Sequence, residues 1–389
     1  MKVAHINCLL AKNGLLGVEK KLAGRAKAIS LLGLDMDIFY FNFGRQLQDN
    51  RVNFYRRVEG FPHRLLSVLH RYSCVPKHID TDQYDLLVLR YSGVDFSLFS
   101  RFFRDNAGKI VTEHQAKELP EAYTYKTTLP QKMVTLLMER FLGPRMIQRC
   151  AGLIANCNEV KMYELARAGI PISACTVTDG VSVEDIPFSE HAGYTGKLLN
   201  LLCVATFFDP WHGLDRVLAG LEDYSSQKPF LHLKVVGDVS SKHLNLSSRL
   251  YHNANVKVDF LGRLFGPKLE ETFKNTHIAF GPLAMFRKGI REGSALKTRE
   301  YVARGLPFVI GHRDPDFEGV DEFFFRIPPD NSPVNMDDVV AFSERILNRK
   351  GVSESMRQFA DDRLDWKIKM QQMWDFLESL FKKENISPG

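Results

Sequence analysis

The stretch that decides the fold is EGSALKTREYVARGLPFVI, residues 292–310. Ser294 is a favourable N-cap, because its hydroxyl can accept a hydrogen bond from an amide of a first helical turn. Gly305 suits the left-handed residue that ends a helix, and Pro307 prevents the helix from continuing. The pattern therefore predicts a helix over residues 295–304, followed at once by a buried strand.

The predicted start of this helix has the features of an anion site. Amide groups at a helix N-terminus point toward a ligand, and Gly293 allows close approach of the backbone. Lys297 adds a positive charge on the first turn. Glu292 and Glu300 lie eight positions apart, so they bracket the helix start rather than touch each other. Carboxylates beside a phosphate site can accept hydrogen bonds from sugar hydroxyls, and two sugars flanking a diphosphate describe a nucleotide-sugar.

This constellation resembles the E-x7-E element of the retaining GT-B-type glycosyltransferases of family four, the group-1 glycosyltransferases. The resemblance implies that Glu292 contacts the donor sugar and that Glu300 binds the ribose of the nucleotide. It also implies that the backbone between the two glutamates cradles the diphosphate. The residues of that backbone are Gly293, Ser294, Ala295 and Leu296.

Composition indicates a soluble globular protein. The 389 residues suffice for two domains, and 44% are hydrophobic while 25% are charged. No segment reaches the apolar length of a membrane span, and His5 and Asn7 interrupt the first apolar run, which is typical of a strand rather than a signal peptide. The six cysteines show no C-x2-C spacing. We therefore expect free thiols in a cytoplasmic protein.

Charge is distributed unevenly along the chain. Residues 1–180 carry 25 Lys and Arg against 17 Asp and Glu, whereas the remainder carries 27 against 29. A basic first half suggests contact with an anionic surface. Two basic amphipathic segments, 61–72 and 132–149, can rest on anionic lipid at the inner face of the cell membrane. The alternative, which the pattern favours, is that both helices pack in the core with solvated Arg and Lys side chains.

Strand-like and helix-like segments alternate, which predicts an α/β fold with parallel sheets covered on both faces. The polar residues 189–197 form a predicted linker. We expect two Rossmann-like domains facing across a cleft, as in the GT-B fold, over residues 1–190 and 196–360. The resemblance implies that the amphipathic segment 361–389 is a helix that packs back on the N-terminal domain. The predicted strands are 3–10, 36–43, 85–90, 109–114, 151–156, 174–181, 198–205, 231–238, 256–262, 278–283 and 308–310.

Two further positions lie in the first half. Gly14 and Gly17 follow the first strand, in a predicted turn that resembles the N-terminal glycine turn of the family. The resemblance implies that this turn lets the next helix approach the donor phosphate or the acceptor, and an ordinary strand–helix turn remains the alternative. His114 ends a strand, where ligand sites of α/β sheets gather. The resemblance implies that it points into the cleft near the donor sugar, and a purely structural histidine is the alternative.

The positive charge for the diphosphate departs from the common family pattern. Where the family has an Arg and a Lys, this chain has Thr206 and His212. A leaving nucleoside diphosphate still requires positive charge or hydrogen-bond donors. The available replacements are His212, Arg287, Lys288 and Lys297. Arg287 and Lys288 form either a mobile basic loop that closes over the donor or an ordinary exposed loop.

Two remaining features complete the candidate site. Arg263 follows a strand at the position where family members hold the nucleobase against the backbone, and the resemblance leaves its own role open. Asp314-Pro315-Asp316 is similar to the metal-binding D-x-D of the other glycosyltransferase fold, but the proline fits a turn and no flanking residue suggests a metal. We expect no metal and no cofactor beyond the nucleotide-sugar co-substrate.

These observations predict a metal-independent, retaining glycosyltransferase. It would move a hexose from a nucleoside-diphosphate sugar to a cell-surface polysaccharide, such as capsule or lipopolysaccharide, or to a lipid-linked glycan acceptor. A nucleotide-sugar epimerase of similar shape is one alternative. A nicotinamide oxidoreductase is a second, although the chain lacks the glycine fingerprint. A non-catalytic binder of an anionic membrane or of nucleic acid is the third, and we expect no nucleic-acid partner.

Overall fold

The chain folds into two compact units. The computed structural model describes residues 1–9, 16–42, 49–56, 71–94, 96–120, 129–189 and 194–386. The first unit comprises residues 1–180 and 366–389, and the second comprises residues 181–365. The chain therefore enters the second unit at residue 181, before the predicted linker, and its last segment returns to the first unit.

The first unit contains a parallel sheet of seven strands in the order β3-β2-β1-β4-β5-β6-β7. The strands are β1 (Val3–Cys8), β2 (Met36–Asn42), β3 (Val52–Arg56), β4 (Leu86–Arg90), β5 (Ile110–His114), β6 (Gly152–Ala155) and β7 (Ala174–Thr176). All six residues of β1 are buried, because neighbouring strands and covering helices enclose a central parallel strand. The strand order reverses at β1, as in a Rossmann fold.

Helices cover both faces of this sheet. Those before the second unit are α1 (Leu16–Leu32), α2 (Arg101–Asn106), α3 (Leu129–Gln148) and α4 (Asn158–Ala168). A buried ionic cluster ties α1 to the sheet: Arg25 Nη2 donates to Glu113 Oε1 at 2.6 Å, and His5 Nε2 lies 2.9 Å from Glu113 Oε2. Burial opposes ionisation of Glu113, but Arg25 and His5 outweigh it and hold the pKa of this carboxyl well below its usual value.

The second unit contains a parallel sheet of six strands in the order β10-β9-β8-β11-β12-β13. The strands are β8 (Leu198–Phe207), β9 (Phe230–Asp238), β10 (Val256–Gly262), β11 (Ile278–Phe280), β12 (Phe308–Ile310) and β13 (Phe324–Arg326). This order is also that of a Rossmann fold, with the reversal between β8 and β11. The predicted α/β class with two Rossmann-like domains is confirmed.

Six helices of the second unit lie within the described residues. They are α5 (Leu214–Asp223), α6 (Ser241–Ser247), α7 (Pro267–Lys274), α8 (Leu296–Arg304), α9 (Met336–Leu347) and α10 (Val352–Phe359). One continuous apolar cluster joins these helices to the sheet, and Phe280, Tyr301, Phe308 and Phe317 are its largest fully buried members. The stretch that opens the sequence analysis therefore runs through the core of this unit.

The last helix, α11 (Trp366–Ile386), belongs to the first unit and packs against α1. Met370, Met373 and Leu377 are fully buried on its inner face. The Arg25 guanidinium lies 5.3 Å from the centre of the Trp366 ring. Among the described helices, none combines the length and the apolarity that a bilayer crossing requires.

Three features of the fold differ from the sequence-based expectations. The outermost strands β3 and β13 were not predicted, since a short edge strand with a single neighbour carries little of the apolar signal of a central one. Helix α1 begins at Leu16, so Gly17 lies in its first turn rather than in a glycine-bearing turn. Gly14 and the greater part of segment 61–72 lie outside the described residues.

Candidate functional site

The candidate site lies at the carboxyl end of β8 and β11, where the strand order of the second sheet reverses. Ligands of open α/β sheets bind at this kind of position, because the connections on either side leave in opposite directions. The loops that follow the two strands join directly. Leu283 N donates to His212 O at 3.1 Å, and Ala284 N donates to Trp211 O at 3.1 Å. The two loops therefore form one surface.

Gly213 makes this close approach possible. Its φ of 73° lies in the left-handed region, and a Cβ at this position would stand 2.8 Å from the Cβ of Leu283. Any larger residue would thus be strained in its backbone and would clash with the neighbouring loop. Gly213 also ends the short helical turn Pro210–His212 and precedes α5.

Helix α8 starts one residue later than predicted. It begins at Leu296, with Ala295 in the extended conformation of an N-cap residue (φ −112°, ψ 125°). The prediction that Ser294 caps the helix is therefore wrong, since Ser294 is a buried residue one position before the cap. The predicted end is confirmed: Gly305 adopts φ 74°, and Leu306 N donates to Tyr301 O at 2.9 Å.

Strand-like pairing before the helix accounts for the shift. Glu292 forms a parallel bridge with Arg313, and Gly293 N donates to Arg313 O at 2.9 Å. The Gly293 amide is thereby committed within the protein, so it cannot be one of the amides predicted to hold the diphosphate. The first amides of α8, beginning with Leu296, remain at the site, where helix geometry supplies no intrahelical acceptor for them.

The two glutamates that bracket the helix start are held differently. Glu292 is 5% exposed, in the bridge described above. Glu300 is more accessible and binds Arg304 Nη2 at 2.9 Å, one turn along α8. Arg304 also binds both carboxylate oxygens of Glu270 and lies 3.9 Å from the centre of the Phe273 ring. Glu300 therefore has a fixed orientation.

Two lysines converge on Trp211. The ammonium of Lys288 lies 4.7 Å from the centre of the indole ring, and that of Lys297 lies 5.9 Å from it. Both distances are within the range of cation–π attraction. The His212 ring stacks on the same indole, with 3.7 Å between ring centroids. One aromatic surface thus gathers three of the four cationic candidates named from the sequence.

Burial sets the protonation of Lys297. Its Nζ donates to Val204 O at 2.8 Å near the end of β8, and burial lowers the pKa of this ammonium to about 8. Lys297 is therefore charged at neutral pH but close to titration. A bound anion would favour the charged form, so ligand binding and protonation of Lys297 are coupled.

His212 is neutral, contrary to its predicted role as a positive charge. Burial, and then the nearby Lys297 ammonium, lower the pKa of this imidazole. Its Nδ1 lies 3.0 Å from the backbone N of Asp209 and 3.3 Å from the carbonyl oxygen of the same residue. The shorter contact assigns Nδ1 as an acceptor and places the proton on Nε2. His212 can then donate one hydrogen bond to an anion without adding charge.

Arg287 is not available as a diphosphate clamp, so the prediction that it replaces the usual cation is wrong. Its guanidinium binds both oxygens of Asp215, at 2.9 and 3.1 Å. It also donates to Pro210 O at 2.8 Å and to Asn331 Oδ1 at 3.0 Å. All three guanidinium nitrogens are engaged, and they tie the loop after β11 to the start of α5. The predicted mobile basic loop is instead a fixed turn, Met285–Lys288.

Arg263 lies just beyond β10 and is exposed. Its Nη2 donates to Asp238 Oδ2 at 2.5 Å, at the end of the neighbouring strand β9. Gly237, immediately before Asp238, has a φ of 126°, and a Cβ there would overlap Ala205 O. The ends of β8, β9 and β10 are thus packed closely together, and Arg263 with Asp238 forms a polar pair beside the site.

His114, in the first unit, ends β5 as predicted but is fully buried. Its ring stacks on Tyr91 with 4.5 Å between centroids, and neither ring nitrogen has a hydrogen-bond partner. Burial, followed by the positive charge of Arg167, lowers its pKa to about 3, so the imidazole is neutral. A side chain with no exposed surface contacts no sugar in this arrangement.

The D-x-D sequence has a structural role. Arg299 on α8 binds both oxygens of Asp314 and also binds Asp316, and the first two side chains are fully buried. Across the described ranges, no group of three His, Cys, Asp or Glu residues is arranged to hold a metal ion.

Trp211 is the site residue that sequence reasoning missed. Its signal was available, since an aromatic residue directly precedes His212 and follows a strand end. What could not be predicted is that Lys288 and Lys297, 77 and 86 positions away, approach the same ring. Only the joined loops after β8 and β11 bring them there.

No protein-family model and no curated protein matches this sequence. Solved structures do match over nearly the whole chain. A glycosyltransferase from Rickettsia africae is 14% identical, with 98% of this chain and 99% of that chain covered and a TM-score of 0.64. Anabaena HepE in complex with UDP-glucose is 12% identical, with 97% and 100% covered and a TM-score of 0.63. WaaG, a glycosyltransferase involved in lipopolysaccharide biosynthesis, is 14% identical, with 95% and 98% covered and a TM-score of 0.61.

These similarities establish the fold. The chain has the two-domain α/β fold of the GT-B glycosyltransferases, with a seven-stranded and a six-stranded parallel sheet. At 12–14% identity they do not carry the donor, the acceptor or the stereochemistry over to this chain.

Proposed function

We propose that this protein is a glycosyltransferase that binds a nucleoside-diphosphate sugar at the start of α8. The observation that carries the proposal is the convergence of Lys288, Lys297 and the Nε2–H of His212 on Trp211. Two ammonium groups and one neutral donor beside a helix N-terminus suit a ligand with two adjacent phosphates. Anabaena HepE, which shares the fold, binds UDP-glucose, and this supports a donor of that class.

The proposed reaction is transfer of a hexose with retention of anomeric configuration. The bond between the anomeric carbon and the diphosphate oxygen breaks, and an acceptor hydroxyl forms the new bond on the same face of the sugar. The departing diphosphate oxygen takes the proton of that hydroxyl. Negative charge grows on the diphosphate as the bond breaks, and Lys297, Lys288 and the amides of α8 stabilise it, so the reaction needs no metal.

The two glutamates complete the donor site in this proposal. Glu300, held by Arg304, accepts hydrogen bonds from the ribose, and its fixed orientation lowers the entropic cost of binding. Glu292 orients the sugar. Arg263 and Asp238 lie beside the site at the ends of β9 and β10, where they can border the nucleobase. His114 is not assigned a catalytic step, because its ring is enclosed.

The proposed acceptor is a cell-surface polysaccharide or a lipid-linked glycan. WaaG acts in lipopolysaccharide biosynthesis and shares the fold, which supports an acceptor of this kind. A lipid-linked acceptor would place the enzyme at the inner face of the cell membrane. Transfer of labelled sugar to added membrane glycan, rather than conversion of the free sugar to its epimer, would distinguish a transferase from an epimerase.

The binding site is tested by calorimetry with UDP, GDP and their hexose derivatives. We expect Lys297→Ala and Glu300→Ala each to weaken binding of the preferred nucleotide-sugar by roughly ten- to a hundredfold, the range for loss of a charged hydrogen bond. Helix α7 offers matched controls. Lys268 and Glu271 are the second and fifth residues of α7, as Lys297 and Glu300 are of α8, and both are exposed.

Lys268→Ala and Glu271→Ala should retain full affinity. Unchanged affinity in both α8 variants would remove the basis of the assignment. Equal weakening in the α7 pair would show that the loss reflects general surface charge rather than a site.

A further inference from the structure

Helix α3 (Leu129–Gln148) presents an apolar row to solvent. Leu129, Met133, Leu137 and Phe141 are 73%, 50%, 51% and 60% exposed, respectively. They recur every four residues, which places them along one side of the helix over about 18 Å. We call these four residues the α3 row. A row of large apolar side chains of this length is unusual on a surface that contacts only water.

The opposite side of α3 is firmly held by the first unit. Met146 is buried in the apolar cluster of this unit, and Met138 and Leu142 pack against it. Glu139, the only acidic residue of the helix, is 1% exposed. It accepts hydrogen bonds from Tyr91 Oη and from Val94 N, each at 2.8 Å, and pairs with Arg167. The row is therefore exposed because the other side of the helix already forms the core contact.

The charges that accompany the row are positive. Arg140 lies next to Phe141, and Arg145 continues the four-residue repeat beyond it. Both arginines are exposed, and within the described ranges no carboxylate pairs with either. Because Glu139 points inward, this side of α3 has no acidic residue of its own. Apolar side chains flanked by unpaired arginines match the interface of an anionic bilayer, which offers acyl chains and phosphate headgroups at adjacent depths.

We propose that the α3 row docks the protein on the surface of an anionic membrane. The four apolar side chains enter the boundary between headgroups and acyl chains, and Arg140 and Arg145 bind the headgroup phosphates. The helix lies parallel to the membrane plane, since its inner side remains packed on the first unit. This proposal does not depend on the donor site, which is built from residues of the second unit.

The test is flotation of the full-length protein with vesicles. One set contains phosphatidylglycerol and phosphatidylcholine in equal parts, and the other contains phosphatidylcholine alone. We expect binding to the anionic vesicles that falls as salt rises, and much weaker binding to the neutral ones. The triple variant Met133→Ser, Leu137→Ser, Phe141→Ser should lose on the order of tenfold or more in partition to anionic vesicles.

A second variant isolates the charge. Arg140→Gln with Arg145→Gln should weaken binding to anionic vesicles by roughly fivefold per arginine at low salt and should flatten the salt dependence. The apolar row is intact in this variant, so residual binding to neutral vesicles should not change.

The matched control is Leu31→Ser, Ile170→Ser, Tyr251→Ser, which removes three exposed apolar side chains elsewhere, at 59%, 44% and 88% exposure. It should bind vesicles as the unaltered protein does. Nucleotide-sugar affinity by calorimetry should be the same in all variants, which separates this proposal from the proposed function.

Vesicle binding by the α3 triple variant equal to that of the control triple would overturn the proposal. So would a change from dimer to monomer in the α3 triple variant, by analytical ultracentrifugation, with vesicle binding retained. That result would identify the row as a contact between two copies of this chain.

Discussion

At the scale of single residues, burial decides which of the cationic candidates can act. Arg287 is charged but fully engaged by Asp215 and Asn331, and His212 is accessible only as a neutral donor. Lys297 keeps an ammonium whose pKa of about 8 lies within reach of physiological pH. The departure from the usual Arg and Lys pair is thus met by two lysines that come from the loop and the helix after β11.

We predict that binding of a nucleoside diphosphate takes up a proton near pH 8. Burial lowers the pKa of Lys297, so the free protein loses the ammonium as pH rises through about 8, while the bound phosphates raise the pKa again. Affinity should therefore fall above pH 8. Calorimetry in buffers of different ionisation enthalpy measures the uptake directly.

The variant Lys297→Met provides the control for this linkage. It should bind more weakly at every pH and show no proton uptake near pH 8. Uptake of the same size in Lys297→Met would assign the titrating group to another residue.

Trp211 offers a second prediction at this scale. Replacing the indole by leucine removes the aromatic surface beneath Lys288 and Lys297, so the two ammonium groups lose their common support. Cation–π contacts contribute about 0.5–2 kcal/mol, so affinity for UDP should fall roughly two- to thirtyfold. Trp211→Phe keeps a ring and should lie between the leucine variant and the unaltered protein in calorimetry. Equal affinity in all three would show that the ring does not organise the cations.

At the scale of elements, glycines at the ends of α8 and of the turn before α5 make the site compact. Gly305 ends α8 with a φ of 74°, and a Cβ there would stand 2.8 Å from the Cβ of Ser353 on α10. Ser353 Oγ also donates to Gly305 O at 3.1 Å. The helix that carries Lys297 and Glu300 is therefore anchored at its far end by a close contact with α10.

We predict that Gly305→Ala destabilises the protein more than Gly319→Ala. The two glycines have nearly equal φ values, 74° and 77°, but nothing lies within 4 Å of a Cβ at Gly319. The control should cost about 1–2 kcal/mol from the left-handed backbone alone, and Gly305→Ala should cost roughly 1–3 kcal/mol more from the clash. Chemical denaturation measures both. Equal losses would show that α10 moves aside freely.

At the scale of the whole molecule, the chain order and the folding units differ. Helix α11 comes last in sequence but completes the first unit, where Met370, Met373 and Leu377 are buried. The residues of the proposed donor site all belong to the second unit, between residues 181 and 365. A change in α11 should therefore affect stability and donor binding separately.

We predict that Met373→Asp lowers the free energy of unfolding of the first unit by more than about 3 kcal/mol, because it buries an unpaired charge. Affinity for UDP should be unchanged at temperatures where the protein is folded. Gln372→Asp, at the neighbouring exposed position, is the control for charge and should be nearly neutral. Scanning calorimetry with and without UDP measures both effects, and loss of UDP affinity in Met373→Asp would place part of the donor site in the first unit.

Much of this molecule follows from local pattern. Buried central strands such as β1 and β8, the end of α8 at Gly305 and the alternation of strands with helices could be read in the chain, since apolar periodicity and glycine placement act over a few residues. Edge strands β3 and β13 escaped, because their surroundings are half solvent. The N-cap at Ser294 was wrong because pairing of Glu292 and Gly293 with Arg313, twenty positions away, sets where the helix begins.

The sequence by itself determined the fold class and the segment on which a nucleotide-sugar site would be built. Which cations serve that site was decided only by the tertiary structure. Charge at neutral pH depends on burial and on neighbours distant in sequence: the same contacts that commit Arg287 and neutralise His212 leave Lys288 and Lys297 beside one indole ring. Desolvation and long-range packing have no signature in a local stretch of residues, and this is why residue type indicated the chemistry but not the group that performs it.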